Sequence, residues 1–212
     1  SSIPGIHFIN CAISSHFSIV LASSEDSVYM FDLTSGFLLR ILKVKSRINL
    51  IKFCETNDFI VLCESNVIHV LDTHFSEYNS IELDDPVTSL SVCDSVLWFQ
   101  QPPFVTGHES GKVIIWTLDM DSVEEEVEEN SDGSRILKKK INKKELAKPF
   151  EVPVVAIEQI HDYTDVICMN GDGEAVVISN QSGHKRVLKL SQFENCTSCG
   201  CKLDMSTSVI CS

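Results

Sequence analysis

The chain has 212 residues, 43% of them hydrophobic and 22% charged, which is the composition of a folded domain with a sizeable core and not of a disordered chain. Its 17 Lys and Arg stand against 30 Asp and Glu, a formal net charge of -13. That balance excludes broad binding to nucleic acid, which needs a basic face to displace phosphate counterions, and disfavours plain adsorption to an anionic membrane.

Residues 1–10 lack the basic start and apolar run of a secretory signal. No stretch approaches the roughly 18 consecutive apolar residues of a spanning helix. The first residue is not Met, so the chain is read as a piece of a longer protein and missing N-terminal signals carry little weight.

Four segments share one rhythm with a period near 40 residues. They are about 9–42, 50–83, 87–119 and 154–190. Each holds an apolar strand, a polar break and a second apolar strand: FSIVLAS, DFIVLCE, PFVTGH and DVICMN in turn. A tight turn follows, then a third strand: SVYMFDL, NVIHVLD, KVIIWTL and EAVVISN. The turns are Ser24 to Ser27, Glu64 to Asn66, Glu109 to Gly111 and Gly171 to Gly173, small or φ>0-tolerant residues that hairpins demand. The third strands end in Phe31-Asp32, Leu71-Asp72, Trp116-Thr117 and Ile178-Ser179, spaced by 40, 45 and 62 residues.

These pairs stand where a WD repeat places its Trp-Asp dipeptide. The repeat resembles WD repeats, and the resemblance implies a β-propeller with one four-stranded sheet per blade. The expected fold class is therefore all-β: a partial propeller of about four blades from a larger ring, seven being the number the WD family implies. Cys11, Cys54 and Cys93 occupy similar phases of the first strands and are expected to pack there as small hydrophobes.

Residues 1–118 are assigned to the first blades and 154–190 to the last. Between them, 119–153 opens acidic (Glu124 to Glu129) and turns basic (Lys138 to Lys144). Dense charge and low hydrophobicity predict a disordered insertion, with Ser122, Ser131 and Ser134 as exposed, acid-flanked modification positions.

Residues 191–212 hold four of the nine cysteines. Cys196 and Cys199 form a Cys-x-x-Cys-Gly knuckle, which sets two thiolates on one side of a tight turn, half of a tetrahedral zinc site. Cys211 follows eleven residues later and would open a second pair. No βαβ pattern supports a redox reading of the Cys-x-x-Cys. Reduced core cysteines beside a metal-type cluster point to a reducing, cytoplasmic setting.

The order of parts, FVTGHESGKVIIWTLD, then a charged insertion, a final blade and FENCTSCG, resembles the C-terminal end of BEACH–WD-repeat–FYVE proteins over about residues 9–211. The resemblance implies a large cytoplasmic scaffold for selective autophagy or vesicle traffic, peripheral on endosomal or autophagic membranes through the full-length protein. It also implies Cys196, Cys199 and Cys211 as ligands of a truncated zinc module. Where that family carries a basic run before its third cysteine, this chain reads Thr207-Ser208-Val209-Ile210. A neutral run cannot supply charge-assisted bonds to phosphate, so phosphoinositide binding does not carry over.

The sequence has neither a Gly-rich phosphate loop followed by Lys nor a Gly-x-Ser-x-Gly elbow. His108, beside Glu109 in a predicted hairpin turn, is read as structural. The expected role is a non-catalytic scaffold that binds other proteins through blade tops and the mouth of the central channel. The alternatives are a propeller-bearing ubiquitin ligase or tethering subunit with a C-terminal RING, and a plain WD adaptor whose cysteines bind nothing.

Overall fold

A computed structural model describes residues 6–92, 101–122, 138–160, 165–180, 182 and 184–188. The described residues form sixteen β-strands in four antiparallel sheets of four, each a simple meander, and no helix. Blade 1 comprises β1 (Asn10–Ser14), β2 (Ile19–Ser23), β3 (Ser27–Asp32) and β4 (Leu38–Lys43). Blade 2 comprises β5 (Leu50–Cys54), β6 (Phe59–Cys63), β7 (Val67–Asp72) and β8 (Glu77–Glu82). Blade 3 comprises β9 (Val87–Val92), β10 (Pro103–His108), β11 (Val113–Leu118) and β12 (Ile141–Ala147). Blade 4 comprises β13 (Val154–Ile160), β14 (Asp165–Asn170), β15 (Ala175–Ser179) and β16 (Lys185–Leu188). The first strands, β1, β5, β9 and β13, neighbour one another in that order and form the concave inner wall of an arc. This is the propeller-like, all-β fold expected from the repeat.

The cores lie between blades, not within them. Each sheet has an upstream face toward the preceding blade and a downstream face toward the next. Leu21, Val28 and Met30 of blade 1 pack on Ile51, Ile60 and Leu62 of blade 2. Phe59, Val61 and Val70 of blade 2 pack on Phe104, Ile114 and Trp116 of blade 3. Val105, Ile115 and Leu146 of blade 3 pack on Val154, Ile157 and Val166 of blade 4. Both faces of the middle sheets are buried, which is why β6 reads FIVLC without a polar residue and is buried throughout.

The hairpin turns follow the sequence signals. Gly111 and Gly173 take φ of 83° and 82° between the second and third strands of blades 3 and 4. In blades 1 and 2 the third strand ends on an aspartate that caps the following turn. Asp32 Oδ1 accepts the backbone N–H groups of Thr34 and Ser35 at 3.1 and 2.6 Å, and Asp72 Oδ1 those of His74 and Ser76, both at 2.7 Å.

Three expectations are corrected. The segment 119–153 is not a disordered insertion throughout, because Ile141–Ala147 is β12, the outer strand of blade 3, paired along β11. Its lysines and glutamate mark it as an edge strand, where charge faces water and blocks pairing with other chains; Ser122 is half-buried and accepts the Lys140 N–H at 2.9 Å, while Ser131 and Ser134 lie outside the described residues. Cys54 is buried as expected but Cys11 is exposed: the registers put Cys11 at the position of Ile51, on the opposite face from Cys54, and among the described residues no sheet covers that face of blade 1; Cys93 lies outside the described residues. His108 is not in a turn: it is the last residue of β10 and is fully buried.

Blades 3 and 4 approach closely at Gly107. A Cβ there would meet the Ser89 hydroxyl and Val154 Cγ1, the latter at 2.6 Å. Overpacking a joint of this kind costs about 1–3 kcal/mol. Gly107→Ala is expected to lower stability by that amount, read as a reduced urea midpoint with unchanged slope.

Candidate functional site

The residues expected to hold zinc, Cys196, Cys199 and Cys211, lie outside the described residues. Among the described residues, no cluster of three or more His, Cys, Asp or Glu has metal-binding geometry. Cys63 and Cys168 are buried thiols. Burial pushes Cys63 far up and Cys168 up to about 12, so neither is a thiolate at neutral pH.

His108 anchors a chain of hydrogen bonds through blade 3. Trp116 Nε1–H on β11 donates to Thr106 Oγ1 at 2.8 Å. The Thr106 hydroxyl is then left to donate to His108 Nε2, also at 2.8 Å. That bond leaves Nδ1 as the protonated nitrogen, which donates to the Asp85 carbonyl at 3.0 Å. The Asp85 carboxylate in turn accepts from the Ser110 N–H at 3.1 Å and the Ser110 hydroxyl at 2.5 Å. Burial lowers the His108 pKa, which keeps the ring neutral and the pattern of donors fixed. The network joins two strands, a hairpin turn and the loop entering the blade, and uses every nitrogen of the imidazole. Thr106→Val keeps the shape but orphans the Trp116 N–H and His108 Nε2. A loss of about 2–6 kcal/mol is expected in equilibrium unfolding, since each of the two buried unsatisfied groups costs about 1–3 kcal/mol.

In blade 2, His69 lies between two carboxylates, with Nδ1 3.3 Å from Glu77 and Nε2 3.2 Å from Glu64. The Glu77 bond, opposed by burial and helped by Glu64, raises its pKa. Ser46, from the loop between blades 1 and 2, donates to Glu64 at 2.5 Å, so this cluster also ties a turn to a neighbouring loop. These polar groups are spent on structure.

The inner wall is different. A cavity of about 530 Å³ opens on the concave side, lined by β1, β5, β9 and β13. Cys11, Ile13, Lys52, Phe53, Glu55 and Glu158 contribute to it. Two of its carboxylates also strap adjacent blades: Ser14 on β1 donates to Glu55 at 2.5 Å, and Ser91 on β9 donates to Glu158 at 2.9 Å. Glu158 is thereby held on β13, and Glu55 in the turn that follows β5. Lys52 is exposed in the middle of β5. A cavity that combines apolar side chains, one cation and two held carboxylates suits a peptide segment with an apolar residue flanked by polar ones.

Sequence reading located the channel mouth in general but missed these residues. The one signal available was Lys52, a lone charge inside the apolar run LIKFC. The cavity itself depends on how four strands from distant segments converge.

No protein-family model and no curated protein matches the chain. Among solved structures, a computationally designed protein, Ika4, is similar over 84% of this chain and 95% of its own, at 18% identity and a TM-score of 0.58. U3-55K, a WD-repeat protein, is similar over 88% of this chain at 11% identity and a TM-score of 0.63. The chain spans about half, 53%, of U3-55K. At these identities the likeness is one of fold alone, and it is consistent with the propeller-like arrangement of the four sheets.

Proposed function

We propose that the chain is a non-catalytic protein-interaction scaffold whose docking site is the concave cavity of the inner strands. The observation that carries this reading is the composition of that wall. Lys52, Ile13 and Phe53 stand on rigid neighbouring strands beside Glu55 and Glu158, with room for a peptide segment. The histidine clusters, by contrast, are engaged in holding turns and loops. Recognition groups on a fixed frame bind without a large ordering cost.

The reading is tested by photo-crosslinking in cell extract. A photoreactive amino acid at Lys52 is expected to yield discrete protein adducts that the same residue at Arg186, on the outer strand β16, does not. Adducts at neither position, or equally at both, would remove the cavity from consideration as the docking site.

The resemblance to BEACH–WD-repeat–FYVE proteins extends the proposal. In that reading the four blades are the C-terminal part of a larger ring in a cytoplasmic scaffold for selective autophagy or vesicle traffic, peripheral on membranes through other parts of the protein. The β10–β11 hairpin, with Gly111 at its turn, supports the VTGHESGKVIIW match on which the resemblance is sharpest. Zinc binding by Cys196, Cys199 and Cys211 rests on their spacing alone. Native mass spectrometry is expected to find bound zinc in the wild-type chain extended past Ser212, lost in Cys199→Ser. Metal-free wild-type protein would end the zinc reading.

A further inference from the structure

His69 has a carboxylate on each of its ring nitrogens: Glu77 Oε2 lies 3.3 Å from Nδ1 and Glu64 Oε1 lies 3.2 Å from Nε2. A neutral imidazole carries one N–H and one lone pair. It can therefore serve only one of two carboxylates and turns its lone pair on the other. Both acceptors are satisfied together only by the imidazolium. The other oxygen of Glu64, Oε2, already accepts from the Ser46 hydroxyl at 2.5 Å, so this carboxylate is an acceptor on both oxygens. The geometry selects a charged His69.

The remaining charged groups leave that arrangement in place. Lys45, in the loop between blades 1 and 2, and Lys138, before β12, both add to the pull of His69 on Glu77. On β4 of blade 1, Arg40 donates instead to the His74 carbonyl at 3.1 Å, and Lys43 donates to Asp26 at 2.9 Å. The Glu77 bond, joined by Glu64 and opposed by burial, holds the His69 pKa above its ordinary value, while the His69 bond holds Glu77 below the usual carboxylate value. The stabilisation from His69 is thus full below about 6.5, the unfolded value, and is lost as pH rises through the higher folded one. On the acid side it persists until pH falls through the lowered pKa of Glu77.

The cluster sits on a joint. His69 pairs across the strands with Leu62 and shares a face with Leu71, and both leucines pack in the core between blades 1 and 2. Ser46 belongs to the loop that joins β4 to β5. Two residues on, Ile48 is fully buried in the same core, and the Asn49 N–H donates to the Cys63 carbonyl at 2.8 Å.

We propose that His69 is a proton-operated clasp on the joint between blades 1 and 2. Charged, it holds Glu64 and Glu77, and through Glu64 and Ser46 it holds the loop that carries Ile48. Deprotonated, it keeps one carboxylate and repels the other. Two carboxylates are then left without the cation between them, and the loop is freed to leave the joint. The joint is tight at mildly acidic pH and loosens as pH rises through the His69 pKa. This inference goes beyond the docking reading and does not depend on it.

The experiment is an NMR titration of the 212-residue chain with amide hydrogen exchange over the same pH range. The His69 ring, assigned through its bonds to the backbone, is expected to titrate above about 6.5, with both nitrogens protonated below that point. Glu77→Gln is expected to lower that pKa. Protection of the Asn49 amide, corrected for intrinsic exchange, is expected to fall about fivefold across the titration, less than a fully buried charge-assisted hydrogen bond is worth. The Asn170 amide of blade 4, bonded to the Glu174 carbonyl, is expected to stay level. In His69→Gln, which does not titrate, the fall at Asn49 is expected to vanish. Circular dichroism checks that both variants fold. A His69 that titrates at or below about 6.5 overturns the proposal on the wild-type protein alone. So does Asn49 protection that stays level through the titration. A His69 pKa unmoved by Glu77→Gln, or a fall at Asn49 that persists in His69→Gln, overturns it as well.

Discussion

A four-stranded sheet that is apolar on both faces has no stable existence alone. Each blade here needs a sheet about 10 Å away on either side, and the arrangement of the chain follows from that requirement. Blades 2 and 3 meet it fully, with Phe104 stacked against Trp116 at 6.2 Å and Phe59 tilted over Phe104 at 6.5 Å in the joint between them. Among the described residues, blades 1 and 4 meet it on one side only. Cooperative stability is therefore uneven: in an array held by neighbour contacts, the central blades carry two joints and the terminal blades one. The same requirement explains why joint residues are small where backbones come close. Gly107 has Ser89 and Val154 where its side chain would be, so the strand can cross the joint only without a Cβ.

Apolar faces on both sides leave few places for polar chemistry, and the sequence distributes it accordingly. Aspartates such as Asp32, Asp72 and Asp119 sit at the ends of third strands and cap the turns that follow. Lysines gather on the outer strands, where Lys143 lies over the Trp116 ring at 5.5 Å and Lys144 donates to the Asn180 carbonyl of blade 4 at 2.9 Å. A strongly acidic chain thus acquires a basic outer edge on blade 3. Thr106, His108 and the Trp116 N–H are buried together in one chain of hydrogen bonds, where each donor finds an acceptor and burial keeps the ring neutral.

The repeat was legible because its information is local: alternating apolar residues and turn chemistry at a fixed period. The alignment of Thr117 with Asp32 and Asp72 holds in the strand register, as Pro103 pairs with Thr117 where Ile19 and Phe59 pair with the aspartates. The turn cap itself slides to Asp119, because β11 continues to Leu118. β12 was illegible as a strand because an outer edge strand needs one covered side and tolerates charge elsewhere; only Leu146 of its seven residues is buried. The likeness in phase between Cys11 and Cys54 fails in the strand register: Cys11 stands at the position of Ile51 and Ser14 at that of Cys54, so the two cysteines face opposite sides of their sheets. The candidate site suffers most from this limit, since its wall is assembled from β1, β5, β9 and β13, segments some forty residues or more apart.

The inner cavity and the joints between blades share residues, and this links docking to packing. Glu55 lines the cavity and accepts from Ser14 of blade 1, and Glu158 lines it and accepts from Ser91 of blade 3. Cys11 and Ile13 of β1 lie at the margin of the same wall. No single blade carries this surface, so a ligand seated on it binds the packed arc and not separate blades. By linkage it stabilises the joints it spans by the same free energy that the packed arc adds to its binding.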